Sequence, residues 1–551
     1  MQGDSSSQVL TVRLADLTRA RTRRGLSSLP SLWLLGPSVF IALAMLVPVA
    51  YLALRSAGAS DSAWELLFRA RTAWTLGRTA LLAVSVTGVA VLLAVPLAWL
   101  TARSDLPWRR FWGVVSVLPL VIPSYVSAFL VVSALGPRGL LQQMLEPLGV
   151  ERLPEIYGLP GATLALGLLT YPYVLLTVRG AMENLDASLE QSARSLGYGP
   201  WRAFWHVTLP QLRPAIAAGA LLVALYTLSD FGAVSLMRYE TFTWSIYQQY
   251  QSAFDRSVAA VLSLALVAMA TAILVLESRS RGRMKYYRSG SGASRRAGVT
   301  RLGRWRWPAA AFCGIVASLA LALPVAILGY WLARGIAAGE ALSPLWSEAR
   351  NSLYGSVLAA LVAAALAVPA AALLVRHPGK LSRGLEFTSY VGYALPGVVV
   401  ALALVFFGAN YARPVYQSIW LLVFAYVVLF FPVALSAVRS AMVQINPRLE
   451  EAARGLGLSP PKVMARVTFP LLRPGVLAGA ALVFLVAMKE LPATIILGPL
   501  GFATLATAIW SASSEAFFAR AAAPGLLLIL LSSVPMAFLV VRLRSPEGTR
   551  T

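Results

Sequence analysis

The chain has 551 residues, 58% hydrophobic and only 13% charged, with a mean hydropathy of +0.70. Soluble domains carry roughly 25% charged residues, so this composition excludes disorder, a collagen-like fibre and a secreted disulfide scaffold, and leaves a multi-span membrane protein. Forty-seven Lys and Arg against 23 Asp and Glu give a net charge of +24; a nucleic-acid binder would gather that surplus on one patch, whereas a membrane chain spreads it over the loops that set orientation.

In chain order, residues 1–30 are polar and basic, with Arg13, Arg19, Arg21, Arg23 and Arg24. They read as a cytoplasmic tail, either flexible or an amphipathic surface segment with Leu10, Leu14 and Leu17 on one face. About twelve apolar runs follow, each near the 20 residues needed to span. They lie near 31–54, 79–102, 111–135, 160–180, 214–236 and 257–277, then 307–332, 352–375, 387–408, 417–438, 475–497 and 522–542. Pro96, Pro123, Pro369 and Pro396 are expected to kink their helices. The lone cysteine, Cys313, sits in an apolar run and reads as a small core residue; His206 and His377 are loop residues.

The loops fall into two sets. One holds both tails, 103–110, 179–213, 279–306, 376–386 and 439–473, and it carries nearly the whole positive surplus. Ten basic residues lie in 279–306 alone, from Arg279 to Arg306. In the other set, the charges nearly cancel. Both termini are therefore expected on the cytoplasmic side.

The two groups of six runs are copies. At an offset of 260, Gln191-Ser192-Ala193-Arg194-Ser195-Leu196-Gly197 matches Glu451-Ala452-Ala453-Arg454-Gly455-Leu456-Gly457, and Pro210 and Arg213-Pro214 match Pro470 and Arg473-Pro474. Pro96 and Arg103 match Pro369 and Arg376 at an offset of 273, so the first half carries about 13 extra residues in an outer loop. The expected organisation is a tail (1–30), a first half (31–278), a basic linker (279–306), a second half (307–542) and a tail (543–551). Six is an even number, so both halves have the same orientation. Parallel repeats of this kind place a pathway at their interface.

The best-matched segments are cytoplasmic loops, 182–213 and 442–473. Asn446 is a good N-cap, Pro447 suits the first helical turn, and Asp186 is the equivalent cap in the first copy. Glu190 with Arg194 and Glu450 with Arg454 are i,i+4 pairs in the favourable order. Gly197 and Gly457 should stop the helix. A second short helix should begin near Pro200 and Pro460 and end at Pro210 and Pro470. A matched loop beside drifting spans is a functional signal; a plain elbow joining two spans is the bland alternative.

These loops resemble the EAA loop of the permease subunits of type I ATP-binding-cassette importers. The second copy supplies Glu451-Ala452-Ala453, Gly457, Val467 and Phe469-Pro470; the first supplies Gln191-Ser192-Ala193, Gly197, Val207 and Leu209-Pro210, with Gln191 in place of the acid and Glu190 beside it. The resemblance covers nearly all of the chain beyond residue 30. It is narrowest to fused ferric-iron permeases, through Leu228–Val234, Lys489–Thr494, Thr504–Thr507 and Ser514–Phe518; fused thiamine permeases are the relatives to exclude. It implies an all-α inner-membrane protein of the type I permease fold. It also implies a periplasmic binding protein above, two copies of a cytoplasmic ABC ATPase below, and alternating access driven through the loops. ATP and magnesium belong to the ATPase partner, since no phosphate loop is present here: Gly379-Lys380 is followed by Leu381. The coupling residues are then Glu190, Gln191, Gly197, Pro210, Glu450, Glu451, Ala452, Ala453, Gly457 and Pro470.

Ionisable residues inside spans are costly and read as functional. Asp230 is expected inside the fifth span, and Lys489 and Glu490 inside the eleventh; Asp230 and Glu490 are repeat-equivalent. With Tyr226 one turn earlier, they are candidates for the translocation path. For ferric iron as substrate, Asp230 and Glu490 are candidate oxygen ligands. The competing reading is that Lys489 neutralises the acids as a structural pair. Tyr239, Trp244 and Tyr247 read as interfacial anchors or as contacts for a binding protein. A proton-coupled secondary transporter of six-plus-six design is the alternative function. It has no use for two capped docking loops.

Overall fold

The computed structural model describes residues 32–543, apart from 138, 151, 186, 253–256, 281–298, 341–344 and 394. The N-terminal tail, the cap at Asp186 and most of the basic linker therefore lie outside the described residues. Within them the chain is helical, and its one β-bridge joins Ser104 to Thr300.

The first half contains α1 (Leu32–Ala57), α2 (Ala70–Arg103), α3 (Ser124–Leu135), α4 (Leu159–Asn184), the loop helix α5 (Ala187–Ser195), α6 (Leu209–Ser229), α7 (Gly232–Leu236), α8 (Phe242–Ser252) and α9 (Ser257–Ser280). The second contains α10 (Arg306–Ala317), α11 (Leu323–Ala337), α12 (Leu345–Arg376), α13 (Lys380–Tyr393), α14 (Gly397–Tyr411), α15 (Ile419–Gln444), the loop helix α16 (Pro447–Gly455), α17 (Phe469–Ala487), α18 (Pro492–Leu497), α19 (Leu505–Ser514) and α20 (Phe518–Leu543). Among the described residues, eleven helices are long and apolar enough to cross a membrane. The ninth expected span falls short because it is two helices, α13 and α14, with Pro396 as the N-cap of the second. The third is broken in the same way: Pro123 is the N-cap of α3, after a 3-10 turn at Leu118–Val121. Each proline starts a new helix because it has no N–H to give the preceding turn.

The core of each half is a three-helix layer, α2–α4–α6 in the first and α12–α15–α17 in the second. Glycine permits the closest approach. A Cβ on Gly219 would lie 2.7 Å from the Cα of Val174, and one on the equivalent Gly479 would lie 3.3 Å from the Cα of Ala434. Small residues bring helices together where lipid supplies no hydrophobic drive. The first spans cross over: α1 packs on α12, α13 and α14 of the second half, while α10 and α11 pack on α2 and α3 of the first. The halves therefore embrace. The linker's end is pinned to the first half, where Asp105 Oδ1 accepts from Leu302 N at 2.8 Å and Thr300 N donates to the Arg103 carbonyl at 2.8 Å.

Candidate functional site: two coupling loops and a central cavity

In the second loop, Asn446 Oδ1 accepts from Arg448 N at 3.0 Å and caps α16. The helix ends in a left-handed glycine: Gly457 has φ +85° and Gly197, its equivalent, φ +90°. Gly457 N donates to Arg454 O at 2.9 Å and Leu458 N to Ala453 O at 3.2 Å; Gly197 N and Tyr198 N bond Arg194 O and Ala193 O in the same way. A Cβ would strain that geometry.

Glu450 has a different environment from the one its spacing suggests. It is buried, 5% exposed, and its main partner is Arg376 at the end of α12. Arg376 Nε and Nη2 donate to Glu450 Oε1 at 3.2 and 3.0 Å, and Nη2 also donates to the Ile445 carbonyl at 3.0 Å. Thr468 donates to the same oxygen at 3.1 Å, whereas Arg454 stands off at 3.8 Å. Glu450 thus clamps the loop to the bundle. Nearby His377 is held below its ordinary imidazole range by burial and by the charge of Arg454. Glu451 and Ala452 are exposed and Ala453 is buried. The side chains of Glu190 and Gln191 lie outside the described residues. Sequence reasoning passed over a pair of exposed leucines: Leu196 and Leu456 stand 80% and 86% exposed beside the glycines, with the exposed Leu189 and Leu449 about two turns earlier. Their repeat equivalence was the signal available.

Pro210 and Pro470 do not end the second loop helix. Each short helix, Pro200–Ala203 or Pro460–Val463, passes through a π-turn, Phe204–Thr208 or Met464–Thr468, directly into α6 or α17. A proline clashes with the carbonyl four residues back, here at His206 and Arg466, inside the π-turns. The wider turn shifts that carbonyl and absorbs the missing donor. Pro324, just after the π-turn Ser318–Ala322, follows the same rule. The second short helix of each loop is therefore continuous with its span.

At the far end of α6, 21 residues and roughly 30 Å from the loop at 1.5 Å per residue, the helix stops at Ser229. Asp230 is not inside a continuous helix. Its Oδ1 accepts from Ala233 N at 2.9 Å and Val234 N at 3.3 Å, capping α7. Glu490 repeats this: α17 stops at Ala487, and Glu490 Oε1 accepts from Ala493 N at 3.1 Å at the start of α18. Both breaks open onto one cavity of about 210 Å³ between the halves, lined by Asp230, Glu490, Tyr226, Lys489, Tyr125 and Ser124 among others. All four residues expected on a path line it. Lys489 is not paired with the acids: its Nζ donates to the Leu120 carbonyl of the first half at 2.6 Å. The structural-pair reading therefore fails in its stated form, and the lysine instead ties the two halves together. Among the described residues, no group of three or more His, Cys, Asp or Glu could hold a metal ion.

Beside the cavity, Phe231 meets Tyr247, Trp244 and Trp510 at ring distances of 4.7, 5.7 and 6.0 Å. Trp510 comes from the second half, and its Nε1 donates to Ser235 Oγ at 3.3 Å. Tyr239 is 4% exposed and donates its hydroxyl to the Arg78 carbonyl. Tyr239 and Tyr247 are therefore buried rather than free on the outer face, and Trp244 is half-buried beside Phe231.

Two repeated helical halves, a loop helix in each that ends at a left-handed glycine, and a polar cavity between them are the parts of a membrane transport subunit. The chain belongs to the family of binding-protein-dependent transport system inner membrane components, whose model matches twice, at residues 94–285 and 363–544. It is 35% identical over 93% of its length to the Fe(3+)-transport system permease protein FbpB 2 of Haemophilus influenzae, covering 98% of that relative. It is 23% identical to the ferric transport system permease protein FbpB of Actinobacillus pleuropneumoniae, over 69% of this chain and 58% of the relative. The molybdenum transport system permease protein ModB of Escherichia coli matches at 34% over 36% of this chain, which covers 89% of that shorter relative. That pattern suits a chain made of two permease units. The chain is a transport subunit rather than an enzyme, a multi-pass inner-membrane protein, and not a secondary transporter.

Proposed function

We propose that the chain moves ferric iron inward through the cavity at the seam. In this reading, a periplasmic binding protein delivers the ion and a cytoplasmic ATPase drives the two halves through the loops. The observation that carries the proposal is the convergence of Asp230 and Glu490, one from each half, on a single cavity. Ferric iron is a hard cation and takes oxygen ligands. The near full-length likeness to an Fe(3+) permease supports the same cargo. Both termini and both loops then face the cytoplasm.

The loops suit force transfer. Leu196 and Leu456 offer an exposed apolar knob for a groove on each of two ATPases, with Glu451 at the rim. Glu450 and Arg376 carry the load inward, and the π-turns pass it to α6 and α17 without a flexible joint. Closing the ATPases tilts these helices and alters the seam where they end. An oxyanion cargo is disfavoured: the cavity holds two carboxylates, and its one ammonium is committed to the Leu120 carbonyl.

The test is reconstitution of the chain with its ATPase in liposomes, supplied with iron-loaded binding protein. ATP-dependent accumulation of radioiron is expected. Accumulation of molybdate or thiamine in its place would overturn the cargo.

A further inference from the structure

Resting on that reading of the cavity, the structure points to a ligand that its two acids do not supply. We propose that Tyr125, through its phenol oxygen, is a direct ligand of the passing ferric ion, completing an oxygen site with Asp230 and Glu490. Two carboxylates alone are few donors for a hard trivalent ion, and no third acid, histidine or thiol joins them among the described residues. The remaining oxygens near the acids are phenols and hydroxyls.

Among the tyrosines that line the cavity, Tyr125 is set apart by its hydroxyl. The side chain is 2% exposed, and the hydroxyl has no hydrogen-bond partner among the described residues. Buried polar groups almost always find partners, and an orphan calls for an explanation. Tyr426, buried nearby, spends its hydroxyl on Thr494 Oγ1 at 2.6 Å. Tyr125 lines the cavity and spends its hydroxyl on nothing.

Its position fits the role. A Cβ on Gly232 would lie 2.8 Å from Tyr125 Cβ and 3.4 Å from Leu491 Cδ2. Gly232, two residues after Asp230, is therefore flanked by Tyr125 and by Leu491, one residue after Glu490, so Tyr125 packs where the chain segments of the two acids converge. Main-chain N–H groups engage one oxygen of each acid, and the other oxygen of each is the donor an ion would meet. On coordination the phenol gives its proton to water and the oxygen binds as phenolate, as metal sites generally release protons on loading. The ion is not reduced. The site is transient, since an ion that binds must also leave.

Tyr125→Phe keeps the ring and removes only an unpartnered oxygen, so a packing role predicts unchanged or improved stability and unchanged transport. The experiment reconstitutes the full chain with its ATPase in nanodiscs and titrates it with ferric nitrilotriacetate. It then measures import from iron-loaded binding protein in liposomes. Wild type is expected to show a visible phenolate-to-iron charge-transfer band. Tyr125→Phe should lose the band and slow import by roughly tenfold or more, the scale on which metal sites answer to the loss of even a supporting group. The proposal is overturned if Tyr125→Phe keeps the band or imports at the wild-type rate, if wild type imports iron with no such band, or if Tyr226→Phe alone abolishes it. In those cases the iron reading survives. If wild type imports no iron, that reading falls as well.

Discussion

At an offset of 260 residues, Gly197 corresponds to Gly457, Leu196 to Leu456, Pro210 to Pro470, Gly219 to Gly479 and Asp230 to Glu490. The structures at these pairs match down to the left-handed glycines, the π-turns and the acid-capped short helices. At the same offset, Tyr226 corresponds to Val486, Tyr173 to Val433, Phe231 to Leu491 and Ser229 to Lys489, and all eight line the cavity. One wall is rich in aromatics, the other mostly aliphatic with an ammonium. The difference separates two jobs. On the proposed mechanism twin ATPases would pull on twin loops, so the mechanical parts stay alike. A single small ion has no two-fold symmetry to match, so the wall it meets is free to diverge.

The comparison can be broken from either side. The largest effect should come from Glu450→Ala, which strands the Arg376 guanidinium in a buried site. About 3 kcal/mol of stability should be lost, read as a lower unfolding temperature in detergent. An unchanged midpoint would mean the clamp carries no load. Next is Lys489→Ser, which gives the second half the residue of the first. Losing a charge-assisted bond to a buried carbonyl should cost about 2 kcal/mol and loosen the seam, seen as faster cross-seam hydrogen exchange near Leu120, while ATP hydrolysis is kept. If hydrolysis collapses instead, Lys489 belongs to the mechanical set.

Gly457→Val and Gly197→Val force a β-branched residue into the left-handed region, at about 1–2 kcal/mol each. Both should lower iron moved per ATP hydrolysed, and by similar factors. A large inequality between them would deny the mechanical equivalence of the halves. Pro470→Ala should do least, under about 1 kcal/mol. It restores a donor and lets the π-turn relax, so the change should appear as altered exchange protection across 464–468 rather than as unfolding.

Much of this was legible in the sequence because it is local or repeated. Asn446, Pro447 and Gly457 announce a helix by their own chemistry, and the duplication revealed that Asp230 and Glu490 are one position seen twice. What stayed hidden depends on partners distant in the chain. Pro123 and Pro396 looked like kinks in continuous spans; whether a proline bends a helix or starts one depends on what satisfies the carbonyls behind it. Glu450 advertised Arg454, four residues away, yet a buried carboxylate takes the better-placed guanidinium, and Arg376 is 74 residues distant. Tyr239 and Tyr247 looked like surface aromatics because the partners that bury them, Arg78 and Trp510 among them, are distant in the chain. The crossing of α1 onto the second half leaves no trace in composition, and Tyr125 gave no sign until its hydroxyl was found without a partner.

The central claim is that iron passes between Asp230 and Glu490 while the loops supply the force. It is tested most directly by radioiron uptake into liposomes holding the chain and its ATPase, comparing wild type with Asp230→Asn/Glu490→Gln. ATP-dependent uptake is expected in wild type, and its loss in the double variant with assembly and basal hydrolysis intact. Undiminished uptake in an assembled double variant would contradict it.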